Sequence, residues 1–334
     1  MTPKQRVTDA LNHQQPDIVP YDVGFTMQAH ENMVAYGAKP RMDAIRYHFE
    51  STYYSGDCQP VPGRPGYFID DYGCVWNRNG ADKDIGVIDE PSIPEPDLSL
   101  WREPSFSEEA YRKRLAACID NAGDRFTYAS IGFSLFERFW TYTGFENALL
   151  YMAAEPEFTH ALLDRICEFN LRLIDMMLDY PFDGIFFGDD WGQQKGLIMG
   201  APMWREFIKP RQAKMYKRAK DAGRFVFQHS CGDIEEIFPD LIDMGLDCYQ
   251  TFQPEIYDIA AVKAKYGGRL SFFGAISTQR LLPFETPEFI RTETKRIMDI
   301  LGQNGGYIAS PTHALPGDIP AENILAMLDV FEGQ

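Results

Sequence analysis

Phe225-Val-Phe-Gln-His229-Ser-Cys231-Gly-Asp-Ile-Glu235 is the stretch from which the chain is best read. Its first four residues predict a short buried strand, and His-Ser-Cys-Gly then leads into a helix expected to begin near Asp233. A histidine and a cysteine two residues apart, just past a strand, can turn both side chains toward one point. Imidazole nitrogen and thiolate sulfur are preferred ligands of Zn²⁺. A helix start next to them supplies free N–H groups and a positive dipole end, which favour thiolate over thiol. The plainer reading is a buried cysteine beside a hydrogen-bonded loop histidine, and only context separates the two.

The context is a repeating α/β pattern. A helix near 107–122 leads to the strand Phe126-Thr-Tyr-Ala-Ser-Ile-Gly132, and helical segments follow over about 134–154 and 156–180. Gly184-Ile-Phe-Phe-Gly188 is the next strand, ending in Asp189-Asp190-Trp191. A helix over about 202–222 precedes the strand Arg224–Gln228. Helix 233–244, strand Cys248–Phe252, helix 258–266, strand Leu270–Phe273, helix 286–302, strand Gly306–Ala309 and a terminal helix from about 320 complete the series. Short apolar strands separated by amphipathic helices imply a parallel sheet buried on both faces. Seven or eight such units favour a closed (β/α)8 TIM barrel over an open doubly wound sheet. No strand is followed by Gly-x-Gly-x-x-Gly and no Walker A sequence occurs, which argues against a dinucleotide or P-loop fold.

The N-terminal part is less regular. Thr2 and Pro3 start a helix carrying Val7, Ala10 and Leu11, and Pro16-Asp17 stops it. Ile18–Gly24 reads as a first strand, and residues 26–50 read as helical with a break at Gly37. Residues 56–92 are rich in Gly, Pro and Asp, and predict a β-hairpin excursion from Tyr67 to Trp76 and back through Lys83 to Asp89. Asp70 and Asp71 in it read either as solvated turn residues or as part of the mouth of a site. The whole of 1–334 is expected to be one domain.

Composition removes several function classes. The net charge of −17 argues against a nucleic-acid backbone or an anionic membrane as the main partner. No window reaches the roughly 18–20 apolar residues of a membrane span, and Met-Thr-Pro-Lys-Gln-Arg lacks a signal-peptide core. Six cysteines, at 58, 74, 118, 167, 231 and 248, are scattered without paired spacing. That suits a reducing, cytoplasmic location better than a disulfide framework.

In a barrel of this kind the chemistry sits where strands end. Just past the strands stand Asp189, Asp190 and Trp191, then His229 and Cys231, then Gln250 and Gln253, then Gly274, then Pro311, Thr312 and His313. Polar, metal-competent groups therefore recur at one end. His229, Cys231 and His313 are the candidate metal ligands, and Asp190, Asp189 and Gln253 the candidate catalytic residues. Adjacent residues leaving a strand point oppositely, so one aspartate is expected to face the mouth and the other to support the scaffold, with Asp190 inward. Trp191, Phe133, Phe136, Phe139, Trp140 and Tyr142 either wall an apolar pocket or belong to the core.

Gly188-Asp-Asp-Trp-Gly192, Pro202-Met-Trp-Arg-Glu-Phe-Ile-Lys-Pro-Arg211, His229-Ser-Cys-Gly-Asp-Ile234, Gln253-Pro-Glu255, Phe273-Gly-Ala-Ile-Ser-Thr-Gln279, Pro311-Thr-His313 and Pro320-Ala-Glu-Asn-Ile324 resemble the uroporphyrinogen decarboxylase superfamily. The resemblance runs over nearly the whole chain in the right order and implies the barrel. The true decarboxylases carry an arginine-rich Met-Arg-Gln-Ala-Gly-Arg segment for the porphyrinogen carboxylates. The comparable place here reads Val23-Gly-Phe-Thr-Met-Gln-Ala-His-Glu31, without arginine.

The chain is more similar to the cobalamin-dependent methyltransferase branch, in which His-x-Cys and a later cysteine bind zinc. His229 and Cys231 match the first two positions. No cysteine follows Cys248, and Pro311-Thr312-His313 stands near the expected place, so His313 or a carboxylate is left to complete the set. The resemblance implies a zinc-dependent transfer of a methyl group between a small substrate (methoxy-aromatic, methylamine or thiol) and a corrinoid such as methylcobalamin. No corrinoid-binding Asp-x-His-x-x-Gly is present, so the corrinoid is expected on a separate partner protein. The alternatives are a metal-free decarboxylase-like lyase and a non-catalytic ligand-binding barrel.

Overall fold

The computed structural model describes residues 1–80 and 86–334. Seven parallel strands form one curled sheet in chain order: β1 (Phe49–Tyr54), β2 (Phe126–Ile131), β3 (Gly184–Gly188), β4 (Phe225–His229), β5 (Cys248–Phe252), β6 (Ser271–Ile276) and β7 (Tyr307–Pro311). The helices between them include Glu108–Asn121, Pro156–Leu178, Lys209–Asp221, Ile259–Tyr266, Pro287–Leu301 and Ala321–Glu332.

Alternate side chains of these strands face inward and fill the enclosed space. Phe49, Phe126, Phe227, Cys248, Phe273 and Ile308 form one buried cluster. Val7 and Leu11 of the first helix, Pro3–Leu11, join it. The Phe49 ring on β1 stacks on Phe273 of β6 at 5.5 Å between centroids, so the sheet curls far enough for distant strands to meet inside it. Burying several phenylalanines in one layer is worth about 1.5–3 kcal/mol apiece.

The N-terminal part departs from the sequence reading. The first strand expected over Ile18–Gly24 is reduced to isolated bridges, Tyr21 to Ala309 and Phe25 to Leu315. Pro16 and Pro20 have no N–H to give a ladder. Tyr21 nevertheless occupies the place between β7 and β1, with its ring against His48 at 4.6 Å. The architecture is thus barrel-like, with seven regular strands and a bridged eighth position.

The helix predicted over residues 26–50 with a break at Gly37 is found as Met27–Ala35 and Lys39–Asp43, but it stops there, and β1 begins at Phe49. The polar, aromatic run Phe-Glu-Ser-Thr-Tyr-Tyr lacks the apolar signature by which the other strands were recognised. The excursion is a four-stranded antiparallel sheet (Cys58–Pro60, Tyr67–Asp70, Val75–Asn77, Val87–Glu90), larger than one hairpin. Lys83 in the expected return strand lies outside the described residues. Asp70 is buried there, accepting from the Tyr72 and Cys74 N–H groups and the Trp76 indole, and pairing with Arg138 at 3.2 Å. It is a structural anchor of that sheet.

The register fixes the functional end. His229 lies opposite Gly188 on one side and Gln250 on the other. Residues leaving β3, β4 and β5 therefore emerge side by side. No helix among the described residues is long and apolar enough to cross a membrane.

Candidate metal centre

The loop after β4 is held from both sides before any chemistry is considered. The Ser230 N–H donates to the Gln250 carbonyl, and the Ser230 hydroxyl accepts from the Trp191 N–H. The Gly232 N–H donates to the Gln253 side-chain oxygen at 2.8 Å, and the Tyr257 hydroxyl donates to the Gly232 carbonyl. Gly232 has φ of 80° and lies so close to Gly192 that a Cβ there would overlap that backbone. Only glycine suits both constraints. The expected helix start near Asp233 comes slightly later, as a 3₁₀ turn over Glu235–Ile237 followed by Phe238–Asp243. Backbone donors at the Cys231 loop are thus used by side chains of neighbouring strand ends.

Within this frame Asp190, His229 and Cys231 converge. His229 Nε2 lies 3.2 Å from Asp190 Oδ1 and 3.5 Å from Cys231 Sγ. The three potential ligand atoms all lie within 4.8 Å of one another. Asp190 Oδ1 also accepts the Cys231 N–H at 2.8 Å. On the far side of the ring, His229 Nδ1 meets the Gln250 side-chain oxygen. That contact makes Nδ1 the donor and turns Nε2 toward the other two groups, the arrangement of a metal-ligating histidine with its outer support.

The charges reinforce one another. Burial works against a charged His229 imidazole, but Cys231 and Asp190 outweigh it and hold its pKa well above the usual histidine range. Burial likewise opposes the Asp190 carboxylate, and His229 with the Cys231 N–H overcomes this, holding it down at about 2. The group is an anion–cation cluster that could exchange its proton for a metal ion.

The other candidates lie around this cluster. Asp189 is fully buried and faces away from it. Its carboxylate accepts from the Leu135, Phe136 and Glu137 N–H groups, at 3.2, 2.9 and 2.8 Å, and from the Trp191 indole. It therefore caps the helix Phe136–Thr143 and ties β3 to β2. Burial pushes its pKa up to about 6 against the pull of those donors. Gln253 positions the Cys231 loop through Gly232. The His313 ring stands 6.2 Å from the His229 ring, centroid to centroid, edge to face, outside the three-residue cluster. Trp191, Phe136 and Phe139 are wholly buried core residues, and Trp191 packs against Trp204.

Glu137 was not singled out in the sequence. Burial, then Asp190 and Asp189, raise its carboxyl well above the usual range, while its contact with the Asp190 N–H opposes this. It follows the end of β2 by six residues, and strand-end position was the signal that could have found it.

An α/β barrel-like sheet thus gathers a carboxylate, an imidazole and a thiol at its strand ends, the place where enzymes of the barrel class carry their chemistry. The uroporphyrinogen decarboxylase (URO-D) family profile matches residues 133–333, and the chain belongs to that family. A methylated-thiol–coenzyme M methyltransferase from Methanosarcina mazei is 24% identical over 163 residues, spanning 48% of this chain but only 42% of that protein. A uroporphyrinogen decarboxylase from Methylococcus capsulatus is 23% identical over 301 residues, 85% of this chain and 79% of that one. Among solved structures, a methyltransferase from Methanosarcina mazei superposes with a TM-score of 0.72 at 17% identity, covering 100% of this chain and 99% of that one. That likeness concerns the fold. The resemblance read from the motifs holds, and both methyl transfer and decarboxylation are represented among the relatives.

Proposed function

We propose that this chain is a zinc-dependent methyltransferase acting between a small methylated substrate and a corrinoid carried on a separate protein. The observation that carries the reading is the convergence of Asp190, His229 and Cys231. A tetrahedral zinc with ordinary bonds has an N···O edge of about 3.4 Å and an N···S edge of about 3.6 Å. The corresponding separations here are 3.2 and 3.5 Å, and all three ligand atoms lie within 4.8 Å of one another, which supports a metal held between them. His229 Nε2, Cys231 Sγ and an Asp190 oxygen would hold the ion, leaving a fourth position for substrate. When bound, zinc supplies Lewis acidity to a substrate sulfur, oxygen or nitrogen.

The chain's own residues do the rest. Gln250 fixes the imidazole, and Gln253 with Tyr257 fixes the loop carrying the thiol. Glu137, whose carboxyl is raised well above the usual range by burial and by the neighbouring Asp190 and Asp189, can give a proton to a departing heteroatom. The methylated-thiol relative supports this reading of the site.

A second reading, a metal-free decarboxylase, is favoured by the longer alignment to the Methylococcus protein. Metal analysis of purified wild type and Cys231→Ala separates the two. The proposal expects about one zinc per chain, absent from the folded variant, and methyl exchange with methylcobalamin by the loaded enzyme. No metal in the wild type after growth with zinc would overturn it.

A further inference from the structure

On the wall of the enclosed space facing β4 stands a carboxylate that the proposed chemistry does not use. Tyr21 turns outward, its ring stacked on Phe331 of the C-terminal helix and set edge-on against His48. Asp22, the next residue, therefore points inward. Segment Tyr21–Phe25 takes the place beside β7, four positions from the strand carrying His229, so the two lie across the enclosure. The Asp22 carboxyl contacts the Val23 N–H, and no described lysine, arginine or histidine pairs with it. Burial raises its pKa to about 6, and a cation beside it would favour the carboxylate form. It is half-buried and so borders open space.

An enclosed anion without a counter-charge is unfavourable unless something else supplies the charge. Beside it lies an aromatic floor. Tyr128 stacks on Phe186 at 5.2 Å, and Phe186 stacks on Phe227 at 5.7 Å. Tyr128 alternates with Thr127 on β2 and packs with Phe186 against the inner buried cluster, so its ring and Asp22 face the same enclosed space. The charge of Asp22 is, after burial, a cause that raises the Tyr128 phenol. Tyr128 and Phe186 are themselves only half-buried. A carboxylate next to aromatic rings is a setting that attracts an organic ammonium ion, through charge and through the ring quadrupoles.

We propose that Asp22, with Tyr128 and Phe186, binds a cationic alkylammonium group of the substrate, while the group to be demethylated reaches Asp190, His229 and Cys231 on the facing wall. This deepens the proposed function and rests on it for the second half of the statement. The first half is testable by binding alone.

The probes are choline and its uncharged carbon isostere, 3,3-dimethylbutan-1-ol, titrated calorimetrically into wild type, Asp22→Asn and Cys231→Ala. Wild type is expected to bind choline at least about tenfold more tightly than the isostere. Asp22→Asn should lose that preference, and Cys231→Ala should keep it. Equal affinity for the two probes, no measurable choline binding, or a preference surviving in a folded Asp22→Asn would each overturn the inference. The wild-type comparison needs no variant to fold. Wild type without metal that still prefers choline would refute the zinc reading and leave the ammonium site standing.

Discussion

Two adjacent carboxylates should separate stability from chemistry. Asp189→Ala removes a fully buried acceptor from three backbone N–H groups and the Trp191 indole. Losing a helix N-terminal acceptor costs about 1–2 kcal/mol. Each buried donor left without a partner costs about 1–3 kcal/mol, with some relief from relaxation. Together the expected loss is about 3–5 kcal/mol, a large share of the roughly 5–15 kcal/mol by which domains are stable. Asp189→Asn keeps one acceptor oxygen but turns an NH2 toward donors, and should cost about 1–2 kcal/mol. Asp190 accepts one backbone N–H and pairs with His229, but its side chain is 34% exposed and Asn keeps an acceptor oxygen, so Asp190→Asn should cost about 1–2 kcal/mol while emptying the metal site. Urea unfolding followed by circular dichroism, with metal analysis of the same samples, reads both effects. Asp189→Ala within about 1 kcal/mol of wild type, or Asp190→Asn destabilising as strongly as Asp189→Ala, would refute the division of roles.

Gln250→Leu removes the support behind His229 and is expected to weaken zinc about 10- to 100-fold in competition with a chromophoric chelator; unchanged affinity would contradict the proposed role of that contact. Gly232→Ala combines a left-handed backbone with overlap onto Gly192, so a loss of about 3 kcal/mol or more is expected, with loss of metal; a melting temperature unchanged from wild type would disprove the constraint. His48 is 1% exposed, and burial lowers its pKa to about 4 from the ordinary 6.5. The unfolded chain thus takes up this proton first, so its stabilising contribution is complete above pH 6.5 and lost as pH falls toward 4. The full gap is worth about 3 kcal/mol, and His48→Leu should flatten that part of the stability–pH curve. An unaltered slope in the variant would mean that His48 does not drive the acid loss.

Much of the fold could be read locally because a parallel strand buried on both faces must be apolar along its length. Gly184–Gly188 and Phe225–Phe227 announce themselves this way, Phe126–Ile131 less fully because it carries Thr127 and Ser130, and the helices between them follow from spacing. β1 escaped because Phe-Glu-Ser-Thr-Tyr-Tyr carries polar residues at positions whose surroundings come from elsewhere in the chain. The excursion sheet is likewise a product of cross-strand pairing and of the buried Asp70–Arg138 contact, which join residues far apart in sequence.

At the strand ends the same division holds. The short stretch His229-Ser-Cys231 and the strand-end position of Asp189-Asp190 were local facts, and together they marked the end of the barrel to examine. Which aspartate meets His229, and that Gln250 lies behind the imidazole, depend on the registers of β3, β4 and β5, set by long-range pairing. The place of His313 outside the cluster and the charges gathered around Glu137 are also tertiary facts. Asp22 shows the contrast most sharply: in the sequence it is one acidic residue after a tyrosine, and only the closing of the sheet leaves it facing an enclosed aromatic floor without a cation among the described residues. Local sequence determined which groups reach the functional end, because strand and helix periods are local. The curl of the sheet decided which of them meet, because distance and dielectric belong to the whole fold.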